Sequence, residues 1–252
     1  MPARKPAKKT APAKSVKGSL SGRVARGIGE RILKGEFAPG DLLPNEAEWG
    51  RIYKASRTAV REAVKTLNGK GLLASRPKIG SRVEPREHWN LLDRDVLAWH
   101  CAAMDRRAFL LSTQEARKLL EPGVAALAAG KRTKPQLARM AAALEGMRRA
   151  ATVGKMVAPD VQFHLALLAA ANNDLLAPFG MVIEQALGTL FDYTTRHNPK
   201  LASVVPLHEA VYDAIAAGDA VTARQAIIAL LDDTDAIVAA GGFEREPARD
   251  LG

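Results

Sequence analysis

The strongest constraint on the fold is a pair of short helices joined by a tight turn at residues 43–67, LPNEAEWGRIYKASRTAVREAVKTL. The first helix is predicted over 46–52, with Asn45 as its N-cap and Glu48 as the partner in a capping box. Ser56 is predicted to cap the second helix. The apolar residues of the second helix recur at helical spacing and form one stripe, Val60, Ala63, Val64 and Leu67.

The opposite face of the second helix is polar and basic, and it carries Arg57, Thr58, Arg61 and Lys65. A short helix with an apolar back and such a front, packed against a partner helix, is what reading of the DNA major groove requires. An ordinary helical hairpin with one solvated face shows the same pattern. The two helices alone therefore leave both interpretations open.

The flanking segments add a third helix and two strands. A helix is predicted over 20–34 and ends at Gly35. A turn is predicted at 68–71, followed by strands over 72–76 and 81–83 that are joined by a Pro- and Gly-containing tip. Three helices followed by a two-stranded hairpin form a winged helix-turn-helix.

Charge supports DNA binding. The wing offers Lys78 and Arg82 to the phosphate backbone or the adjacent minor groove. Residues 1–86 hold 20 Lys and Arg against 7 Asp and Glu, a formal charge of +13, whereas residues 87–252 hold 17 against 20, a charge of −3. A basic first third on a mildly acidic remainder is typical of a nucleic-acid-binding module attached to another domain. Helices, wing and charge agree, which favours DNA binding over a plain hairpin.

Composition argues against a secreted, a disulfide-bonded or a membrane-spanning protein. Residues 1–18 are rich in Lys, Ala and Pro and are predicted to be a disordered basic arm, not a secretory signal. Cys101 is the single cysteine, which excludes an internal disulfide and suits a reducing cytosol. No run of about 18 apolar residues occurs, so no membrane span is predicted and we expect a cytoplasmic protein.

A specific pattern of residues runs through 20–84, namely Gly35, Pro39-Gly40, Leu43-Pro44-x-Glu46, Ser56-Arg57-x-x-Val60-Arg61-Glu62-Ala63, Gly71-Leu72-Leu73 and Gly80-x-x-Val83. This pattern resembles the DNA-binding domain of GntR-family transcription regulators. The resemblance implies that the recognition helix presents Ser56, Arg57, Thr58 and Arg61 to DNA, and that Gly80 approaches DNA at the wing tip. Ala47 stands where FadR-type members often have a DNA-contacting Arg, so that contact is expected to be missing or replaced.

The rest of the chain shows helical periodicity and no alternating strand pattern. Gly218 and Asp219 are predicted to end one helix and cap the next, so the last two helices form an antiparallel hairpin. We expect a mainly α protein with an arm at 1–18, a winged helix-turn-helix at 19–85 and an all-α helical bundle at 86–252. The helices predicted in the bundle cover 92–103, 105–130, 134–150, 157–171, 175–195, 202–217 and 220–239.

A candidate metal site lies in this second half. Asp160 and His164 are four residues apart, so they share a helix face, and the apolar neighbour Phe163 marks that face as inward. His208 begins another helix with inward apolar residues. A carboxylate and two imidazoles inside a helical bundle suit Zn²⁺, Ni²⁺ or Mn²⁺. From spacing alone, histidines satisfied as ordinary core residues are the simpler interpretation.

Two further motifs carry a second resemblance. They are Asp160-x-x-Phe163-His164 with His208-x-x-Val211-x-x-Ala214-Ile215-x-x-Gly218-Asp219, and Pro85-Arg86-x-x-Trp89-Asn90-x-Leu92-Asp93-x-Asp95-Val96-Leu97-x-Trp99. The first resembles the FadR C-terminal ligand-binding domain, and the second resembles the linker of D-galactonate catabolism repressors in the FadR subfamily. The resemblance implies a metal ion, Zn²⁺ before Ni²⁺ or Mn²⁺, on Asp160, His164 and His208. The third family His falls at Leu230, which leaves three side-chain ligands.

Arg117 is the candidate effector-binding residue. It lies in the segment EARKLLEP, where the related repressors carry an inward Arg. An Arg beside a metal can hold a carboxylate in a bidentate clamp. The alternative from spacing is a surface Arg paired with Glu121 at i+4.

These features favour a homodimeric, ligand-responsive repressor that binds double-stranded operator DNA and is released by a small carboxylate such as D-galactonate. The alternatives are a metal-dependent enzyme acting on a sugar acid, and a sequence-blind architectural DNA-binding protein. The enzyme is disfavoured because no general base stands beside the Asp160, His164 and His208 group and because it leaves the winged helix unexplained. We therefore expect a regulator, not an enzyme.

Overall fold

The structure is a computed structural model that describes residues 18–76, 78–185, 187–188 and 204–240. The chain divides into two compact units, Met1–Ala103 and Met104–Gly252. Each unit has its own hydrophobic core. The predicted basic arm lies outside the described residues except for its last residue, Gly18.

Unit 1 is a winged helix-turn-helix followed by one more helix. The hairpin is antiparallel, with Leu73 paired to Val83 and Arg76 paired to Gly80. The order of the elements is the one predicted from the sequence. They are α1 (Leu20–Leu33), α2 (Glu46–Ile52), α3 (Arg57–Gly69), β1 (Leu73–Arg76), β2 (Gly80–Val83), a 3₁₀ turn at Arg86–His88, and α4 (Arg94–Ala103).

The core of unit 1 lies behind α3. Val60, Ala63 and Leu67 are buried on its inner face, as the apolar stripe predicted. They pack with α1, whose Ile28 and Ile32 are also buried. Burying an Ile or Leu side chain contributes about 1.5–3 kcal/mol. This packing, more than the helical hydrogen bonds of a short segment, holds α3 in place.

The helix starts in the helix-turn-helix are fixed by the predicted caps. The side chain of Asn45 accepts from the backbone N–H of Glu48 at 3.0 Å, and the Glu48 carboxylate accepts from the N–H of Asn45 at 2.7 Å. This is the predicted capping box. Ser56 caps α3 by accepting from the N–H of Ala59 at 3.3 Å. Both predictions are confirmed.

The end of α3 differs from the prediction. Residues 68 and 69, predicted as part of a turn, are the last residues of the helix. The chain reverses instead at Gly71, which has φ +74° and approaches the carbonyl of His88. A Cβ at Gly71 would lie 2.1 Å from that oxygen, so only glycine fits there.

Helix α4 packs in unit 1, although the sequence assigned residues from 86 onwards to the second half. Trp99 lies directly against Gly29 of α1. Lys70 Nζ forms ion pairs with Asp93 at 2.5 Å and Asp95 at 3.1 Å. The division into functional domains at residue 85 stays a prediction.

The described residues of unit 2 form helices joined by short turns, which confirms the predicted fold class. Helix α5 packs on α7, α9 and α10, and α6 packs on α7 and α9. No helix in the described part of the chain is long and apolar enough to cross a membrane. The elements are α5 (Arg106–Lys131), α6 (Lys134–Arg148), α7 (Val153–Ala170), a 3₁₀ turn at Asp174–Leu176, α8 (helical at 179–185 and 187–188), α9 (Val204–Ala217) and α10 (Ala220–Ala240).

Two helix boundaries in unit 2 are informative. Helix α7 begins at Val153, earlier than the predicted 157, because Thr152 caps it by accepting from the N–H of Lys155. The predicted α9–α10 hairpin is confirmed. Gly218 has φ +80°, and Asp219 then caps α10. The far end of the predicted 175–195 helix lies outside the described residues.

Candidate functional site

The outer face of α3 is exposed at Arg57, Thr58 and Arg61. Ser56 is exposed as well, and its hydroxyl already accepts the capping hydrogen bond. Ser56 therefore sets the start of the helix in addition to its predicted place at the DNA. The assignment of these residues to DNA contacts stays a prediction.

Arg61 is joined to α2 by Glu46, a residue of the pattern at 20–84 whose contact partner is not visible in the sequence. Its Nε and Nη2 donate to the two carboxylate oxygens of Glu46, both at 3.0 Å. The pair is largely exposed, so solvent screens it and it contributes little to stability. Its effect is to orient the guanidinium across the helix-turn-helix.

The wing places its predicted residues in different roles. Lys78 is exposed in the hairpin turn with φ +66°, and Gly80 begins β2 with φ +106°. Arg82 donates from Nη1 to the carbonyl oxygen of Gly40 at 2.8 Å. Arg82 thus ties the wing to the turn before α2, a role not visible in the sequence.

In unit 2 the three predicted metal ligands meet. Asp160, His164 and His208 are all buried, and one ligand atom from each lies within 4.8 Å of the others. Helix α7 supplies the first two residues and α9 supplies the third. Phe163 stacks edge-on against both imidazoles, which fixes the ring planes. Asp160 Oδ2 lies 3.9 Å from Nε2 of His164.

The imidazole of His208 has one satisfied nitrogen and one orphaned nitrogen. Nδ1 lies 2.9 Å from the carbonyl oxygen of Val204, so it carries the ring proton and donates. Nε2 lies 2.9 Å from Oδ1 of Asp160 but makes no hydrogen bond of acceptable geometry. In the neutral ring this contact brings two lone pairs together, an arrangement that a shared cation would stabilise.

Arg117 is buried, not on the surface, and it also pairs with Glu121. Its Nε donates to Oε1 of Glu121 at 2.6 Å, and Nη1 donates to Oε1 of Gln114 at 3.3 Å. Its Nη2 lies 3.2 Å from Nε2 of His164. The i+4 pair of the alternative interpretation therefore exists, but inside the bundle and not on the surface. The assignment of Arg117 to effector binding stays a prediction.

Glu121 connects the Arg to the metal-ligand group. Its Oε2 lies 2.9 Å from Nδ1 of His164, at ion-pair distance but not aligned as a hydrogen bond. Burial alone would raise the pKa of Glu121, but Arg117 and the imidazole of His164 in its protonated form overcome it and lower the pKa to about 2. Burial is likewise overcome at Asp160, where His208, His164 and Arg117 lower the pKa.

These groups define the charge of the buried cluster. At neutral pH both carboxylates are ionised and Arg117 is cationic, so neutral histidines leave one negative charge uncompensated. A buried net charge is costly. The donor set and the orphaned His208 Nε2 therefore fit a divalent cation. Leu230, which stands where the family has its third His, is a buried core residue.

Arg117 also lines a cavity of about 290 Å³ between α5 and α8. The cavity lies beside the cluster and has room for a small ligand. Its walls are mostly apolar. The other lining residues are Ala116, Leu119, Leu120, Phe179, Val182 and Ile183.

A winged helix-turn-helix in the same chain as a helical unit with a buried polar cluster defines the class of ligand-responsive transcription regulators. Two family models match the chain in that order. "Bacterial regulatory proteins, gntR family" covers residues 20–83, and "FCD domain" covers 113–233. The chain belongs to the GntR family, with the helical FCD domain of its FadR-like branch. It is a transcription regulator, not an enzyme.

The chain aligns with nearly the full length of several proteins that are named as transcription regulators. The chain is 36% identical to the HTH-type transcriptional regulator YieP of Escherichia coli, covering 86% of this chain and 94% of the relative. It is 30% identical to the galactonate operon transcriptional repressor of E. coli (83% and 92%) and 32% identical to LutR of Bacillus subtilis (84% and 98%). The solved structure of Listeria monocytogenes Lar shares the fold, with TM-score 0.59 and 17% identity over 88% of this chain and 97% of that one.

Proposed function

We propose that this GntR-family regulator is a dimeric repressor that leaves its operator when a small carboxylate binds unit 2. D-galactonate or a close aldonic acid is the first candidate effector. The observation that carries the proposal is Arg117, a buried cation placed 3.2 Å from a histidine of the Asp160, His164 and His208 cluster. A buried guanidinium suits a planar carboxylate, and Arg117 also belongs to the lining of a cavity with room for a small ligand.

On DNA, the exposed front of α3 supplies the base and phosphate contacts. Arg57, Thr58 and Arg61 face the major groove with Ser56 at the helix start, while the wing brings Lys78, Gly80 and Arg82 to the backbone. A two-fold dimer separates two such helices by about 34 Å, one turn of DNA, so the operator is a near-palindrome.

The charge of the cluster supports an anionic effector. With neutral histidines the group formed by Arg117, Glu121 and Asp160 carries one negative charge, which repels an anion. A divalent metal held by Asp160, His164 and His208 would reverse that sign and supply Lewis-acid contacts to the oxygen atoms of the effector. Arg117 orients the carboxylate, and Gln114 offers a further polar group beside it.

Release from DNA requires that the effector favour one arrangement of the protein over another. An effector that binds both arrangements equally well shifts nothing. The proposal therefore requires that the effector bind less tightly to the operator-bound protein, by at least about tenfold for a visible response.

The likeness to the galactonate operon repressor supports an aldonic acid, since that relative aligns with 83% of this chain. The apolar walls of the cavity beside Arg117 favour a second candidate, a small carboxylate with an apolar side chain. Among the described residues around Arg117, the polar cluster offers the partners for the hydroxyl groups of a sugar acid. These two effector classes are separable by experiment.

The test is a gel-shift with the full chain and the DNA upstream of its own gene. Aldonic acids, uronic acids and short apolar carboxylates are added in turn, each in zinc-loaded and in chelated protein. We expect an aldonic acid to release the DNA only in the zinc-loaded protein. Release by apolar carboxylates alone would move the assignment to the second class, and no release by any carboxylate would contradict the proposal.

A further inference from the structure

The contact between Arg117 and His164 has only one assignment of donor and acceptor. A guanidinium has no acceptor atom, so Nη2 of Arg117 donates to Nε2 of His164 across 3.2 Å. That hydrogen bond uses the single lone pair of Nε2. The ring proton then resides on Nδ1, which faces Oε2 of Glu121 at 2.9 Å.

The same lone pair is the one that a metal ion needs. Nε2 is the nitrogen of His164 that faces Asp160, 3.9 Å from Oδ2, whereas Nδ1 faces away toward Glu121. A histidine binds a metal through an unprotonated nitrogen with a free lone pair. The hydrogen bond from Arg117 and a metal bond at Nε2 therefore exclude each other.

We propose that Arg117 and a divalent metal ion compete for Nε2 of His164, so that metal binding releases Nη2 of Arg117 toward the effector. The inference rests on the proposed function, since it concerns the same effector site. It states that the metal binds first and that the guanidinium of Arg117 becomes available to the effector afterwards. Arg117 acts as an internal occupant of the metal site until the metal displaces it.

The released guanidinium stays in place because its other side is anchored. Nε remains hydrogen-bonded to Oε1 of Glu121 at 2.6 Å, and both side chains are almost fully buried. Glu121 is thus a positioning residue that holds Arg117 beside the cluster. The freed edge of the guanidinium then faces a region that has gained positive charge, which favours an anion.

Competition and support predict opposite changes in metal affinity when Arg117 is removed. If Arg117 only supported the metal site, its removal would weaken metal binding. If Arg117 occupies the ligand atom, its removal tightens metal binding, by about tenfold or more for a hydrogen bond from a charged group. Removal of Arg117 alone also leaves Glu121 as an uncompensated buried charge, so a charge-matched variant is needed.

The experiment is a calorimetric Zn²⁺ titration of metal-free, full-length protein, in the wild type, in Arg117→Met/Glu121→Gln and in Glu121→Gln. The double variant removes one charge of each sign, so its net charge equals that of the wild type. We expect it to bind Zn²⁺ at least about tenfold more tightly than the wild type, and we expect Glu121→Gln alone to bind Zn²⁺ more weakly. Zinc binding by the double variant but not by the wild type would support competition equally. Equal or weaker binding by the double variant, or no zinc binding by either, would overturn the inference.

Circular dichroism and thermal unfolding check that the variants fold.

A measurement on the wild-type protein tests competition between Arg117 and the metal without any variant. In nitrogen-15 spectra, a protected Nη2 proton of Arg117 should be present without zinc and absent with it, while Nε2 of His164 shifts to a metal-bound position. A protected Nη2 proton of Arg117 that persists in the zinc-bound protein would contradict competition, whereas the Nε proton bonded to Glu121 should stay protected in both states. Operator release by carboxylates is measured separately, so the effector proposal can fail while this inference stands.

Discussion

Nε2 of His208 and Oδ1 of Asp160 lie 2.9 Å apart in the core of unit 2 without forming a hydrogen bond. The other nitrogen of His208 donates to a backbone carbonyl, which leaves Nε2 as an unprotonated acceptor in the neutral ring. Two buried acceptors in contact are unfavourable unless a proton or a metal ion lies between them. The metal assignment depends on this contact more directly than on any other.

Zinc should therefore stabilise the fold. We expect Zn²⁺ to raise the melting temperature of metal-free protein and EDTA to reverse the rise, because only the folded state brings the three ligands together. His208→Ala should abolish the effect. A melting temperature that ignores zinc in the wild type, or that still responds to it in His208→Ala, would show that the metal is bound elsewhere or not at all.

His164→Ala should impair the effector response without impairing operator binding. We expect it to lower the metal content and the effector response while ligand-free operator binding is retained, because His164 lies in unit 2 and the proposed recognition helix α3 lies in unit 1. Metal analysis and fluorescence anisotropy with labelled operator are the measurements. Loss of operator binding in a well-folded His164→Ala protein would count against this separation.

Arg57→Ala should weaken operator binding by at least about tenfold, since one good contact to DNA contributes about 1–3 kcal/mol. Arg57 is exposed at the start of α3. Arg149→Ala is the matched control, since it removes an exposed Arg in unit 2. Anisotropy at one fixed salt concentration measures both variants. Equal affinities for the two would show that α3 is not the recognition helix.

Acid should weaken the fold through Glu121. Its pKa in the folded protein is about 2 against an ordinary value of 4.5, so the native state holds the ionised form more tightly than the unfolded chain does. The stabilisation is complete above about pH 4.5 and is lost as the pH falls toward 2. The free energy of unfolding of chelated wild type should therefore fall more steeply in this range than that of Glu121→Gln. Parallel pH curves would contradict the assignment.

Local features of the fold were predictable because they depend on neighbouring residues. The Asn45–Glu48 capping box and the cap at Ser56 are set by residues three positions apart, so their sequence pattern is sufficient. The end of α3 was missed because it depends on the close approach of Gly71 to His88, which residue spacing does not show. The same holds for α4, which joins unit 1 through Trp99 against Gly29.

The site was predictable only in part for a related reason. Spacing gives the Arg117–Glu121 pair, but it does not tell whether the pair faces solvent or the bundle. The structure buries it because α7 brings His164 against the same face of α5. His164 and His208 were joined through family resemblance, since no local pattern links two separate helices. Glu46 belongs to the GntR-like pattern, but spacing does not show that it pairs with Arg61. Gln114 gave no signal beyond an ordinary polar position on a helix.

Binding of the effector at Arg117 is the central claim, and operator release measures it most directly. Zinc-loaded full-length protein on labelled operator is titrated with D-galactonate, in the wild type and in Arg117→Ala, with Arg117→Met/Glu121→Gln as the charge-matched variant. We expect the wild type to release DNA and both variants to remain bound, because they lose the clamp on the carboxylate while the contacts of α3 are unchanged. Release of either variant at the same D-galactonate concentration as the wild type would contradict the claim.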